Sequence, residues 1–135
     1  MAEETLTRLL SKLLKREVPE VAGEAIACEH LQRNGFKILD RNYRCRSGEV
    51  DVVARHGDAT VFVEVKQHHG EALCEDHQAV TFGKRRRLIR AARLYAASHG
   101  LSETPIRFDV ISLDWAVEAK PGIRHDQDAF ESDGI

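Results

Sequence analysis

Cysteine, proline and tryptophan are scarce in this chain: three, three and one among 135 residues, with aromatic residues at only 6%. The cysteines (Cys28, Cys45 and Cys74) are scattered, odd in number and never in CxxC spacing. That argues against a disulfide framework or a thiolate zinc site, and a reducing, cytoplasmic setting is expected. No run approaches the roughly 18 consecutive apolar residues of a membrane span, so no membrane partner is expected. Met1–Glu17 carries Glu3 and Glu4 where a secretory leader places basic residues. With 42% hydrophobic and 31% charged residues and few Gly or Pro, the chain is neither collagen-like nor largely disordered. Its length lets it bury about two-thirds of its unfolded surface, enough for one domain with a real core.

The net charge of −2 conceals an uneven distribution. Residues 77–102 hold six basic residues (Lys84, Arg85, Arg86, Arg87, Arg90 and Arg93) and no Asp or Glu. From Asp114 onward, six acids stand against Lys120 and Arg124. A near-neutral total is therefore compatible with one basic binding face, although a charge run alone is more often a solvated helix face.

Periodicity orders the elements. Leu6, Leu9, Leu10, Leu13 and Leu14 form one stripe of an amphipathic helix within residues 1–19. Residues 20–34 read as a second helix, stopped by Asn34-Gly35. Its apolar face is Val21, Ala25, Cys28 and Leu31, with Glu24 on the edge, where a carboxylate costs free energy unless compensated. Phe36–Arg46 looks extended, and Ser47-Gly48 is a turn signal. Glu49–Arg55 and Thr60–Lys66 are Val-rich and alternate, as strands do. A third helix over 84–98 and a last strand, Ile106–Leu113, follow. Residues 126–135 are an acidic, loose tail in which Phe130 is the residue apt to tuck in. The order of helix, helix, three strands, helix and strand predicts an α/β domain over 20–125, with a central mixed sheet flanked by helices.

The chemistry concentrates in the hairpin. With Gly57-Asp58 as a two-residue turn, paired positions sum to 115. Asp51 then lies opposite Glu64, and Glu49 opposite Lys66. Alternation puts Glu49, Asp51, Val53, Glu64 and Lys66 on one face, and Val50, Val52, Ala54, Val61, Val63 and Val65 on the other. Two like charges directly opposite each other cost up to roughly 1 kcal/mol even in solvent, and half-buried they raise one pKa unless a cation intervenes. A divalent metal is the simplest compensation, and oxygen donors without thiolates suit Mg²⁺ or Mn²⁺. The plainer reading is a surface hairpin with Lys66 neutralising Glu49. It leaves unexplained the near-continuous valine behind the acids, which implies a strand covered on both sides.

Asp51, thirteen residues, then Glu64-Val65-Lys66 resembles the D…ExK core of the PD-(D/E)XK nuclease superfamily. With Glu24 upstream on a helix, the set is similar to archaeal-type Holliday junction resolvases. Gly23-Glu24, Arg41-Asn42-Tyr43-Arg44, Gly48-Glu49-Val50-Asp51, Phe62-Val63-Glu64-Val65-Lys66, Lys84 with Arg87-Leu88, and Arg107-Phe108-Asp109-Val110 look like the YraN-like family of uncharacterised bacterial proteins. The resemblance implies a restriction-endonuclease-like fold. It implies a metal held by Asp51, Glu64 and the backbone carbonyl of Val65, with Glu24 completing the site and Lys66 beside the attacking water. Resolvase-like relatives also imply a homodimer. Two stretches depart from the family pattern: Gln67-His68 stands where Thr-Arg is common, and the loop His69–His77 lacks a common Phe-Gly. His68 keeps the facing of Glu64 and Lys66 if the strand continues, and is more plainly a solvent-facing loop histidine.

In the third helix Arg86, Arg90 and Arg93 fall within about 60° of one another, opposite Leu88, Ala91, Ala92 and Tyr95. Together with Lys84 this row suits nucleic-acid phosphates, and nothing in it reads a base sequence. Tyr43 and Trp115 are more plainly core residues than stacking platforms. The leading expectation is a metal-dependent nuclease acting on DNA, branched or structured by analogy with the family. The alternatives are a nuclease-like module that grips nucleic acid without cutting, and a partner-binding protein using the N-terminal leucine stripe.

Overall fold

A computed structural model describes residues 18–68, 80–115 and 120–131. Residues 1–17, which carry the leucine stripe read from the sequence, and residues 69–79, 116–119 and 132–135 lie outside the described residues. The elements in chain order are helix α1 (Val18–Arg33), strands β1 (Lys37–Cys45), β2 (Gly48–His56) and β3 (Ala59–His68), helix α2 (Phe82–Ser98), and strands β4 (Ile106–Asp114) and β5 (Gly122–Asp126). The five strands stand in sequence order in one sheet. All neighbours are antiparallel except β3 and β4, which run parallel across the connection that contains α2. This is the α/β mixed-sheet arrangement expected of a restriction-endonuclease-like domain. No described helix is long and apolar enough to cross a membrane.

The Gly57-Asp58 turn sets the register. Gly57 takes φ 62° and Asp58 does not take a positive φ, the sign pattern of a type II′ hairpin, which favours glycine first. The β2–β3 pairs from His56↔Ala59 to Val52↔Val63 all sum to 115, as the two-residue turn predicts.

Both faces of the sheet are covered. α2 closes one face over Val53, Phe62, Phe108 and Val110 with its own Leu88, Ala92 and Tyr95. α1 closes the other over Val52, Ala54, Val61, Val63 and Ile111 with Ala27, Cys28 and Leu31. The valine-rich strands are thus buried on both sides, which is why they read as near-continuous apolar runs. Val50 departs from the expected alternation. It packs with Val53 on the α2 face, while Val52 and Ala54 lie on the α1 face. The change of facing coincides with Asn42, opposite on β1, which takes a left-handed φ of 52°. Ala25 also departs: it is exposed, because the stripe that meets the sheet is 24-27-28-31, spaced i, i+3, i+4 and i+7.

One feature lies outside the expected elements, and a second bears out the expectation for Phe130. β5 adds an antiparallel edge to β4, so the mixed sheet has one strand more than its periodicity suggests. Just after it, Phe130 is buried and stacks on Phe108 with ring centroids 4.9 Å apart, and the Arg85 guanidinium lies 5.4 Å over its ring. Phe130→Ala is expected to lower stability by about 3 kcal/mol, read from urea midpoints at unchanged slope. A loss below about 0.5 kcal/mol, the surface range, would show that this segment contributes no core packing.

Candidate active site

Asp51 sits where the β2–β3 ladder stops. Val52↔Val63 is the last backbone pair. One residue further, the Asp51 carboxylate accepts a hydrogen bond from the Val65 N–H at 2.8 Å. A side chain thereby replaces a ladder bond, and the Asp51 carboxylate is pinned at the start of Glu64-Val65-Lys66. Glu64 lies close enough to Asp51 to act on the Asp51 ionisation. Burial first, then the Glu64 charge, push the Asp51 carboxyl up to about 7, against the Val65 hydrogen bond.

Glu64 follows Phe62 on the α2 face and is buried, at 5% exposure. Its cross-strand neighbour on β4 is Val110. A buried carboxylate requires a partner, and the ammonium of Lys84, from the first turn of α2, supplies it. Thr81 caps that turn, its hydroxyl accepting from the Lys84 N–H at 3.2 Å, so the backbone that carries Lys84 is fixed. Lys66 is half-buried. Burial, then the charge of Lys84, lower its pKa, and Glu64 opposes them. Two carboxylates and two lysines therefore meet at one end of β2, β3 and α2. Ser112, beside Lys66 on β4, is buried, and its hydroxyl has no hydrogen-bond partner among the described residues.

Glu24 is half-buried on α1, and its carboxylate accepts from the Asn42 side chain at 2.9 Å. Among the described residues, no three His, Cys, Asp or Glu side chains are gathered closely enough to hold a metal ion. The structure thus brings Asp51 and Glu64 together, and holds Glu24 apart on Asn42. Glu49 is exposed and its charge partner is Arg44, at 3.6 Å, rather than Lys66. The β2–β3 pairing that would have set Glu49 against Lys66 ends before reaching them. Gln67, one of the family-departing positions, accepts from the Trp115 indole N–H at 2.8 Å. It also underlies Gly23, where a Cβ would come within 2.3 Å of its amide, so glycine there lets α1 settle close to β3. The adjacent hard-oxygen pair, Glu64 buried and Asp51 half-buried and held well above the ordinary carboxylate range, fits a divalent Mg²⁺ or Mn²⁺ in donor chemistry.

Along α2, Arg86, Arg90 and Arg93 are exposed, whereas Leu88, Ala91, Ala92 and Tyr95 are buried. The helix buries one side and turns arginine outward on the other. Lys84 departs from that row, since it reaches inward to Glu64. Arg85 is likewise committed inward, donating to the Val80 carbonyl at 2.9 Å. The Lys84 partnership and the Asn42 clamp on Glu24 were not found from sequence. Their only trace was that both residues fall within the motifs quoted above. A cavity of about 230 Å³ lies elsewhere, lined by Ile26, His30, Arg33, Lys120 and Ile123, and shares no residue with the carboxylate site.

Comparison with known proteins places this geometry in a family. The profile described as uncharacterised protein family UPF0102 matches residues 23–113, a span that includes Glu24, Asp51, Glu64, Lys66 and the arginine row. A UPF0102 protein of Geotalea uraniireducens is 43% identical over 109 residues, covering 81% of this chain and 86% of that protein. One from Symbiobacterium thermophilum is 42% identical over 119 residues, covering 88% and 100%. A third, from Anaeromyxobacter dehalogenans, is 43% identical over 112 residues, covering 83% of each.

Proposed function

The chain belongs to the uncharacterised protein family UPF0102, and from that premise and the site above we propose that it is a metal-dependent nuclease that hydrolyses phosphodiester bonds in DNA. The observation that carries the reading is the pairing of half-buried Asp51 with buried Glu64, with Lys66 and Lys84 against them, at the foot of an arginine-bearing helix. Two carboxylates are brought together in a dry place only at a cost, and sites that perturb their own ionisation in this way are characteristic of catalysis. Asp51, Glu64 and the Val65 carbonyl are the groups that would hold Mg²⁺ or Mn²⁺, and Glu24 would complete the set only by leaving Asn42. Such an ion would lower the pKa of a bound water and offset charge on the phosphate.

The residues divide the remaining work. Val65 N–H orients Asp51. Lys66, its pKa depressed by burial and by Lys84, is suited to hold the attacking water and to exchange its proton nearer to neutrality. Lys84 keeps the Glu64 charge compensated and stands where the scissile phosphate must be neutralised. The exposed guanidinium groups of Arg86, Arg90 and Arg93 grip flanking phosphates without reading sequence. The proposal includes a cytoplasmic setting and, from the resolvase resemblance, a homodimer and a branched or structured substrate.

A second reading, a nuclease-like module that binds DNA without cutting it, is favoured by one observation: Lys84 already compensates Glu64. Labelled branched, nicked and single-stranded DNA, incubated with Mg²⁺ or Mn²⁺, separates the two. Cutting that stops with chelator is the expected result; salt-sensitive binding with no cutting would leave the module. In either case, Arg86→Glu with Arg90→Glu should weaken binding to all sequences alike. The slope of log K against log salt should fall by about two, since each phosphate contact contributes roughly 0.9.

A further inference from the structure

Phe82, the first residue of α2, is 67% exposed, well above the other large exposed hydrophobic residues described: Leu39 at 37%, Ile106 at 36% and Ile123 at 43%. An apolar ring left this open next to a charged site calls for an occupant. Its surroundings indicate which kind. The Arg86 guanidinium lies 5.9 Å from the ring centroid, one helical turn along. Phe82, Arg86 and Arg90 recur every four residues, so the ring heads the exposed arginine row, with Arg93 further along. Beside the ring, Gly83 has open space around it, with nothing within 4 Å of where a Cβ would stand. Two residues on, Lys84 reaches Glu64. An exposed aromatic ring and the carboxylate site therefore meet at the first turn of the helix, and a row of guanidinium groups leads away from them over the next turns.

We infer that Phe82 is a stacking platform for an unpaired nucleobase next to the phosphate handled at Asp51 and Glu64. The substrate class is then a single strand, or a splayed end of a branched structure, whose phosphates run along Arg86, Arg90 and Arg93. A base inside a continuous duplex has both faces covered by its neighbours and has none to offer the ring. An unpaired base offers a π face whatever its identity, so the preference is for strand state and not for sequence. Arg86 lies over one face of the ring and limits its rotamers, which lowers the ordering cost on binding and leaves the other face for the base. The inference rests on the nucleic-acid part of the proposed function and is independent of whether hydrolysis occurs.

The test uses the full chain in metal-free buffer. Its probes are a short single-stranded oligonucleotide carrying one 2-aminopurine, an abasic oligonucleotide with the same number of phosphates, and a blunt duplex. The wild type is expected to quench 2-aminopurine emission, and to bind the base-bearing strand at least about fivefold more tightly than the abasic one, as the lower bound for base–aromatic stacking requires. Phe82→Ala should remove that difference and the quenching, and leave abasic and duplex binding and the melting curve unchanged. Phe82→Trp should keep both. Equal affinities for base-bearing and abasic strands in the wild type, or an unchanged preference in Phe82→Ala, would overturn the inference, as would no binding at all. Stacking without cleavage in the metal assay overturns hydrolysis alone. Cleavage without a base preference overturns the platform alone.

Discussion

Asp51→Asn is expected to abolish metal-dependent cleavage and, in the same molecule, to raise the melting temperature in chelator at pH 8. The two effects have one origin. Asn keeps a carbonyl oxygen for the Val65 N–H that Asp51 now accepts at 2.8 Å, and it removes a charge that burial and Glu64 both oppose. The folded protein holds the Asp51 proton up to about 7, against an ordinary value of 3.8. Between those values the folded state binds more protons than the unfolded state, so stability falls as pH rises. The contribution is complete below pH 4 and lost as pH passes through 7. The displacement corresponds to at most about 4 kcal/mol, and partial solvent exposure of Asp51 reduces the expected gain to roughly 1–3 kcal/mol. The variant should therefore gain most at pH 8 and lose its advantage near pH 4. Added Mg²⁺ should raise the melting point of the wild type and not that of the variant, because the ion binds the folded state through a carboxylate that Asn lacks. Cleavage should drop at least about a hundredfold, the several kcal/mol that a positioned metal supplies. An Asp51→Asn protein that is less stable in chelator at pH 8 and still cuts would remove the basis for the site.

The register of this hairpin was legible because one turn decides it. Gly57-Asp58 fixes the pairing parity, and every β2–β3 pair follows. The facing of Val50 was not legible: its change coincides with a left-handed Asn42 on the neighbouring strand, a conformation that sequence spacing does not reveal. Glu24 illustrates the same limit. Helical phase put it at the edge of the buried stripe, and it is half-buried, yet its partner is that same Asn42, eighteen residues away. Phase also gave α2 its arginine face. It could not show that Lys84, near the start of the helix, reaches inward to Glu64 on another element, since reach depends on how α2 is set over the sheet. β5 escaped because Gly122-Ile123-Arg124-His125-Asp126 has a single aliphatic residue. It forms the sheet's edge, where charge is normal and an apolar pattern is not required.

Asp109→Ala is expected to be the most damaging substitution for stability among the charged residues described, at about 3–5 kcal/mol, the usual cost of removing one partner of a buried ion pair. Asp109 is 1% exposed on β4. Its carboxylate accepts two hydrogen bonds from Arg107, at 2.8 and 3.0 Å, one from His125 at 2.8 Å and one from the Asp128 N–H at 3.1 Å. Burial pushes its pKa up, but the hydrogen bonds from His125, Arg107 and Asp128, with the Arg107 charge, bring it below the ordinary value. A depressed carboxyl stabilises the fold above its unfolded pKa and loses that contribution as pH falls through the folded one. The gap between wild type and variant should therefore be widest near neutrality and close below pH 4. The network extends to α1 through His30, 3.2 Å from His125, and to β2 through His56, 3.1 Å from Arg107. It fastens β5 and α1 to the rung of β4 just before Val110, the neighbour of Glu64. Because Arg107 left alone would be a poorly compensated cation, Arg107→Met combined with Asp109→Leu should cost less than Asp109→Ala by itself. Thermal melts at pH 4 and 7 on the wild type and these variants decide it. A double variant as damaged as the sum of its parts would mean that the pair acts through its individual contacts, and not through mutual compensation of buried charge.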